Sequence, residues 1–326
     1  MQVTPSVRAV QVPDINPMHP QFTTIYLVGR GQVLTIDSGE DAERYRWMLR
    51  GYLAATEKAE IGLSCVTHYH RDHSSNLRWL RDEFGAEVHV FEEGISLLQD
   101  RLPESGVKPI QNGSEIGPSD DVRLGVIHTP GHSVDSVCFY LESEGVLFTG
   151  DTILGGSMTT VNDLSLYLES LSHLRDLPNL RLLCPGHGPV IEDPVRYIDA
   201  YITGRHERER QILEVLTESP ELTSWGIMER VYAERNLVPR LLRAADRQVV
   251  THLRKLENEG RIKVLAGKPR EKSAEELARV EEEEHERLEV MRRADEYREE
   301  ARRRALYSQE NPGGSDWEEL PRYALA

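Results

Sequence analysis

Short runs of apolar and β-branched residues recur along the first 204 positions of the 326-residue sequence, and Gly, Asp or Pro closes most of them. Runs of this length, bounded by turn residues, are typical of β-strands. We therefore predict eight strands: TIYLVG (24–29), VLTID (33–37), IGLSCVTH (61–68), AEVHVF (86–91), VRLGVIHTP (122–130), SVCFYLE (136–142), GVLFTGD (145–151) and LRLLCPGH (180–187).

Between these strands, three stretches carry apolar residues at helical spacing: 42–58, 74–84 and 164–177. Sheets and helices bury their apolar faces by packing in layers. The pattern predicts an α/β domain at residues 1–204, either a layered αββα sandwich or a related fold. Residues Gly94–Gly117 are predicted to be rich in loops.

The sequence pattern changes at Arg205, where helical periodicity continues without intervening strands. Residues 205–219, 223–235 and 240–260 predict three amphipathic helices, with Thr223 as an N-cap and Gly260 as a terminator. A short strand at 261–267 would follow them. Three helices and a β-wing form the winged-helix arrangement, so we predict a second domain at residues 205–270.

The remaining residues are strongly charged. Residues 271–306 predict a solvated helical extension, and residues 307–326, rich in Gly and acidic side chains, predict a disordered tail. No apolar run approaches the 20 residues of a membrane span, and residues 1–16 lack the pattern of an export signal. With three cysteines and no CxxC motif, we expect a cytoplasmic protein with reduced thiols and no membrane partner.

The net charge of −16 argues against a general attraction to nucleic acid. Residues 1–204 carry 15 basic and 28 acidic side chains, whereas residues 205–270 carry 14 basic and 10 acidic ones. This second segment could neutralise phosphates, or its cations could simply solvate a helix face. The basic residues concerned are Arg240, Arg243, Arg247, Arg254, Lys255, Arg261 and Lys263.

The stretch THYHRDHSSN, residues 67–76, contains three of the twelve histidines in the sequence. It follows a predicted strand, and residues two apart in extended backbone point to the same side. His68 and His70 can therefore hold one metal ion. Asp72 and His73 follow where the chain turns into a helix, and they can face a second ion.

Three further candidate ligands follow other predicted strands: His132 in TPGHS, Asp151 in TGD and His187 in PGHG. Each lies beside a glycine, which lets the backbone turn sharply. Five imidazoles and two carboxylates favour Zn²⁺, with Mn²⁺ or Fe as alternatives. Because a carboxylate has two oxygens, Asp151 could bridge two ions.

The motifs THYHRDH, TPGHS, TGD and PGHG resemble those of the metallo-β-lactamase-fold hydrolases over about residues 1–200. That resemblance implies the αββα sandwich and two bound zinc ions. By the same resemblance His68, His70 and His132 hold the first ion. Asp72, His73 and His187 hold the second, and Asp151 lies between the two.

Within the superfamily, the sequence resembles most the LACTB2-like (β-lactamase-like protein 2) branch over residues 20–265, through TIYLVG, GDTILG and PGHGP. Members of this branch include an endoribonuclease that acts on single-stranded RNA and enzymes that release polyketide thioesters. The resemblance therefore implies either an ester or thioester hydrolase or a nuclease. A third hypothesis is a winged-helix nucleic-acid-binding protein whose metal site is not catalytic.

Two zinc ions held by these residues would lower the pKa of a bound water and so supply hydroxide at neutral pH as the nucleophile. We predict catalytic roles for Asp72, which would also orient this water, and for Asp151. Asp135 could hold a ligand imidazole as an outer carboxylate, or it could simply be an exposed surface residue. Four hydroxyl side chains are further candidates for lining the cleft, although a core position is favoured for Tyr167: Ser74, Ser133, Tyr167 and Ser170.

Overall fold

The computed structural model describes residues 1–13, 22–56, 59–235, 239–269 and 317–326, which fall into two compact units, Met1–Thr203 and Gly204–Ala326. Each unit has a hydrophobic core of its own. Of the helices in the described ranges, none has both the length and the apolar character that crossing a lipid bilayer requires.

The first unit contains a six-stranded sheet whose strands follow their order along the chain. Its first three strands pair antiparallel, and the third to the sixth pair parallel. The strands are β1 (Val7–Pro13), β2 (Phe22–Arg30), β3 (Gln32–Ile36), β4 (Glu60–Cys65), β5 (Glu87–Phe91) and β6 (Val107–Ile110).

A second sheet of five strands completes the unit: β7 (Glu115–Ser119), β8 (Val122–His128), β9 (Val137–Leu141), β10 (Val146–Gly150) and β11 (Leu182–Pro185). Its spatial order is β11-β10-β9-β8-β7, and only the β10–β11 pair is parallel. Every residue of β9 and of β10 is buried. Strands covered on both faces read as continuous apolar runs, which is why the sequence predicted them.

The two sheets face each other across a core to which both contribute, including Tyr26 of one sheet and Phe148 of the other. Helices cover the outer faces: Leu49 and Leu80 pack on the first sheet, and Leu171 packs on the second. The layers therefore form an αββα sandwich, as predicted. The helices are α1 (Glu43–Ala55), α2 (Arg71–Ser74), α3 (Leu77–Phe84) and α4 (Leu164–Arg175).

The structure differs from the sequence prediction of this unit at three strands and one helix. Strands β1, β6 and β7 were not predicted, and β6 and most of β7 occupy the segment expected to be loop-rich. The single helix expected over residues 74–84 is two helices, because α2 ends at Ser74 and α3 begins at Leu77.

Helix α5 (Pro194–Glu218) begins in the first unit and ends in the second, which also contains α6 (Ser224–Val231) and α7 (Pro239–Asn258). The Thr223 hydroxyl caps α6 by accepting the Gly226 N–H, and Gly260 beyond α7 has φ +68°. Helix α5 begins at Pro194 rather than at Arg205. Proline is favourable in the first turn of a helix, where its missing N–H needs no partner.

The strand predicted after α7 is present as β12 (Ile262–Leu265) and is followed by β13 (Lys268–Pro269), β14 (Trp317–Glu319) and β15 (Arg322–Leu325). Strand β12 pairs with β15, and β13 pairs with β14. Leu222 and Tyr323 also exchange backbone hydrogen bonds of 3.2 and 2.7 Å. Residues 317–319 and 322–325 therefore form paired strands where the sequence predicts a disordered tail, and strand pairing satisfies backbone donors and acceptors there.

The charged helical extension predicted for residues 271–306 lies outside the described residues, as do residues 307–316.

Candidate metal centre

The candidate ligands of the first unit come from the ends of four strands. His68 follows β4, and His70 stands immediately before the short helix α2, which carries Asp72 and His73. The other three follow β8, β10 and β11, in that order: His132, Asp151 and His187. Strand ends in the layered sandwich thus bring together side chains that are up to 119 positions apart.

Four of these side chains form a first group. His68 Nε2 lies 2.9 Å from His70 Nδ1, and His132 Nε2 lies 3.0 Å from the same atom. Asp151 Oδ2 lies 3.8 Å from His132 Nε2. One donor atom from each of the four residues lies within 4.8 Å of the others, as ligands of one metal ion do.

A second group contains Asp72, His73, His187 and, again, Asp151. His187 Nε2 lies 3.0 Å from Asp72 Oδ2 and 3.2 Å from His73 Nε2. Asp151 Oδ1 lies 3.2 Å from His73 Nε2 and 3.4 Å from His187 Nε2. Asp151 therefore presents one oxygen to each group, and Oδ1 is buried without a hydrogen-bond partner.

In the second group, the ring nitrogens that point away from the other donors make hydrogen bonds to residues outside the group. His73 Nδ1 donates to Asp37 Oδ2 at 2.7 Å, and His187 Nδ1 lies 3.1 Å from the Thr23 hydroxyl. The partner on one ring nitrogen selects the tautomer. Because the Asp37 carboxylate can only accept, Nδ1–H of His73 is turned outward and its Nε2 faces the group, as coordination of a cation requires; His187 also faces the group through Nε2.

Two histidines of the first group are held in the same way. His132 Nδ1 donates to the Thr160 carbonyl at 2.8 Å, and His68 Nδ1 lies 3.1 Å from the Thr67 hydroxyl. Thr67 is in turn fixed by Asp37, whose Oδ1 accepts the Thr67 N–H at 2.7 Å. Both imidazoles therefore also present Nε2 to the group.

The electrostatics of the two groups suit a cation. Burial lowers the pKa of His68 well below its usual value, and burial lowers that of His70 to about 4. Burial also opposes charge on His73, yet Asp151, Asp72 and Asp37 raise its pKa well above the usual value. His68 and His70 are therefore neutral imidazoles, whereas the carboxylates around His73 stabilise positive charge in the second group.

A model of the metallo-beta-lactamase superfamily matches residues 19–187, slightly more than half of the chain. This chain belongs to the metallo-beta-lactamase superfamily. A model of the beta-lactamase-associated winged helix domain matches residues 223–268, the region of α6, α7 and β12. Superfamily membership and the histidine–aspartate cluster together make the chain a metal-dependent hydrolase whose cluster is suited to two metal ions.

The relatives place the chain more narrowly within the superfamily. A beta-lactamase-like protein 2 homolog from Drosophila melanogaster is 36% identical over 269 residues, which cover 78% of this chain and 89% of the relative. An atrochrysone carboxyl ACP thioesterase from Aspergillus fumigatus is 36% identical over 217 residues, 65% of each chain. The chain is therefore LACTB2-like, as the motifs indicated.

A solved beta-lactamase domain protein from Burkholderia ambifaria has the same fold, with a TM-score of 0.71. The match covers 82% of this chain and 91% of that one, at 19% sequence identity.

The hydroxyls of Ser74, Ser133 and Ser170 are buried and bonded within the protein, so they do not line a cleft. Tyr167 is a core residue, the interpretation that the sequence favoured, and its hydroxyl donates to the Thr152 carbonyl. Asp135 is buried and makes no hydrogen bond to the His132 imidazole, whose Nδ1 is taken up by Thr159 and Thr160.

The sequence motifs do not include Asp37, the carboxylate that holds both Thr67 and His73. Asp37 ends a predicted strand, as several of the candidate ligands do or nearly do, and this position was the signal that could have identified it.

Proposed function

We propose that this superfamily member is a dinuclear zinc-dependent hydrolase of esters or thioesters. The proposal is carried by Asp151, whose two oxygens face different groups of donors. A carboxylate shared in this way lets two cations occupy neighbouring positions, as in two-metal hydrolytic sites.

Under this proposal one ion is held by His68, His70 and His132, the other by Asp72, His73 and His187, and both by Asp151. Zn²⁺ bound there would supply Lewis acidity and lower the pKa of a coordinated water toward ~7. The Asp72 side chain is 16% exposed, so its carboxylate would be able to accept a hydrogen bond from the attacking water and orient it. Asp37 keeps His73 in the tautomer that donates a lone pair.

The surroundings of the first group favour an apolar acyl group. Val134, two residues after His132, is 65% exposed, and Met158 is 45% exposed. Met158 precedes Thr159, whose hydroxyl lies 3.1 Å from His132 Nδ1. The ring of Tyr69 packs edge-on against the next residue's imidazole, with centroids 4.6 Å apart.

The charges near the ligand segment do not favour a polyanion. Arg71 and Arg101 both contact Asp100, at 2.8 and 3.0 Å, so their charges are partly neutralised. Residues 1–204 carry 13 more acidic than basic side chains, which repels phosphates at long range. The thioesterase name of the fungal relative agrees with an acyl substrate.

Metal analysis and paired substrates test this proposal. We expect two zinc ions per chain and a higher kcat/KM for an octanoyl than for an acetyl N-acetylcysteamine thioester, because each buried methylene contributes about 0.8 kcal/mol. Val134→Asp should reduce that preference. Val195→Asp, at an equally apolar exposed position on α5, is the matched control and should keep it. Metal content below two ions per chain, or equal turnover of both thioesters, would count against the proposal.

A ribonuclease activity is the second candidate, supported by one surface of α7. Arg243, Arg247 and Arg254 are exposed at positions that fall on one side of this helix. Lys255 and Arg261 are less available, because both form ion pairs with Glu209 and Glu259. Of the other two basic residues, Lys263 is exposed, and the side chain of Arg240 lies outside the described residues.

Single-stranded RNA separates the two candidates. If α7 binds RNA, Arg243→Glu with Arg247→Glu lowers RNA cleavage and leaves thioester hydrolysis unchanged. Lys108→Glu with Arg123→Glu changes the net charge equally on exposed residues of the first unit and serves as the control. RNA that stays intact while thioesters are hydrolysed would remove this second candidate.

A further inference from the structure

His70 is anchored differently from the other four histidines of the centre. His68, His73, His132 and His187 each have an outward nitrogen bonded to a threonine, a carbonyl or a carboxylate. His70 faces the first group through Nδ1, and within the described residues no side chain or carbonyl hydrogen-bonds its Nε2. Its position must therefore be fixed by the backbone that carries it.

That backbone is held on both sides at Tyr69, the residue between the two ligand histidines. The Tyr69 N–H donates to the carboxylate of Asp135, and the Tyr69 carbonyl accepts from the Arg101 guanidinium. Ser74 contributes from α2, because its hydroxyl lies 3.0 Å from the Tyr69 carbonyl and 2.8 Å from the carbonyl of His70.

Both charged residues are themselves fixed. Asp135 is buried, its Oδ1 accepts the Ser133 hydroxyl at 2.7 Å, and its carboxylate lies against Gly94, where an added Cβ would be only 2.8 Å from Oδ2. The Arg101 side chain is nearly buried and donates to the Ser74 hydroxyl at 2.6 Å and to the Leu97 carbonyl at 2.9 Å.

We infer that Asp135 and Arg101 are positioning residues that hold His70 in place by clamping the Tyr69 backbone from opposite sides. In the other four histidines a hydrogen bond to the outward ring nitrogen holds the imidazole. For His70, hydrogen bonds to the neighbouring Tyr69 backbone serve the same purpose. The inference rests on the proposed function, because it assigns the clamp to the metal site of the first group. Loss of the clamp is therefore expected to weaken metal binding by the first group and to leave metal binding by the second group unchanged.

Metal binding to the metal-free protein tests the clamp without measuring turnover. Asp135→Ala should bind one Zn²⁺ normally and the other about 10- to 100-fold more weakly, the loss typical when an outer partner of a ligand is removed. Titration with Co²⁺, followed by visible absorption, should show the spectrum of the first group changed and that of the second kept. Asp135→Asn retains an acceptor for the Tyr69 N–H and should restore most of the affinity.

Two further variants separate positioning from general destabilisation. Asp163→Ala removes an aspartate that caps α4 through the Leu166 N–H, so it should lower thermal stability without changing either affinity. In the double variant Asp135→Ala with Arg101→Met, the affinity loss should be smaller than the product of the two single losses, because both act on one peptide unit.

Normal affinity at both sites in Asp135→Ala, or equal weakening of both, would overturn the clamp. Wild-type protein that binds fewer than two ions would instead overturn the proposed function on which the clamp rests.

Discussion

Asp37 is the clearest case of one residue supporting the whole centre. It directly follows β3 with φ 65°, a left-handed conformation that costs a non-glycine residue about 1–2 kcal/mol. The buried carboxylate accepts the Thr67 N–H and hydroxyl and the His73 Nδ1–H. These hydrogen bonds offset the strain and link the two donor groups through Thr67 and His73.

We expect Asp37→Ala to lower the free energy of unfolding of the metal-free protein by about 2–4 kcal/mol, because two buried N–H groups lose their acceptor. Urea denaturation after chelation would measure this loss. Asp37→Asn should lose about half as much, since asparagine keeps an acceptor and tolerates positive φ. Equal losses for the two variants would contradict this account.

The glycines beside the ligands do not all serve the purpose predicted from sequence. Gly131 and Gly188 have φ of +138° and +81°, so they do allow sharp turns. Gly186 has no positive φ, and its role is to leave space. A Cβ there would lie 2.5 Å from His73 Cε1 and 3.1 Å from Asp151 Oδ1.

Gly186→Ala should therefore displace His73 and weaken the second metal site by at least about 10-fold, a loss seen when support of a metal ligand is removed. Calorimetric titration with Zn²⁺ would measure it. Gly51→Ala is the matched control, because Gly51 has open space around it inside α1. That control should leave metal binding unchanged and stabilise the fold by about 0.5–1 kcal/mol.

At the residue scale, the sequence predicts the candidate metal ligands better than it predicts the residues that hold those ligands by hydrogen bonds. Histidines and aspartates after Gly-flanked strands were found by residue type and position, and the structure brings all seven together. Their role as ligands stays a prediction. Thr23 and Asp37 could not be paired with His187 and His73, because they are distant in sequence and form no local motif.

At the scale of elements, the strands that sequence missed share a place in the sheets. Strands β1 and β6 are the two edges of the first sheet, and β7 is an edge of the second. Each contains a proline: Pro13, Pro109 and Pro118. Proline is tolerated at sheet edges, where its missing N–H breaks no ladder. These three edge strands do not read as apolar runs, whereas β11, the other edge of the second sheet, does and was predicted.

Helix α7 carries a buried histidine that makes the helical unit sensitive to acid. Burial, together with Arg205, Arg208 and Lys255, lowers the pKa of His252 to about 3. The unfolded chain would protonate this side chain near its ordinary pKa of 6.5, so it binds a proton that the folded unit does not bind.

Stability of this unit should therefore fall as pH drops below about 6, by roughly 1.4 kcal/mol per pH unit down to about pH 3. His252→Gln removes the titrating group and should flatten the dependence. Thermal unfolding between pH 4 and pH 7 would measure both proteins. Parallel pH dependences of the two would show that other groups are responsible.

At the scale of the whole molecule, the winged-helix sheet is assembled from distant parts of the chain. Leu222, β12 and β15 lie side by side, although β12 ends at Leu265 and β15 begins at Arg322. The sequence predicts a disordered tail at residues 307–326 because they are rich in Gly and acidic side chains. Their order depends on pairing with β12 and on packing of Tyr323 and Leu325 against the helical core.

Deletion of residues 317–326 should destabilise the helical unit by about 2–4 kcal/mol, because two side chains leave the core and β12 loses its partner. Differential scanning calorimetry would measure the shift. Arg322→Ala removes only exposed contacts with Glu221 and Glu319 and should change stability by less than about 1 kcal/mol. An unchanged transition in the deletion variant would contradict a structural role for β15.

The pairing of β12 with β15 also means that covalent continuity is not what holds the last strand in place. A backbone cleaved between residues 270 and 316 would remain joined by the hydrogen bonds of two ladders. A synthetic peptide with the sequence of residues 317–326 could then bind a chain that ends at residue 269 and restore the missing strand. The helical unit would then consist of two separate chains, and the shorter one, residues 317–326, would be exchangeable.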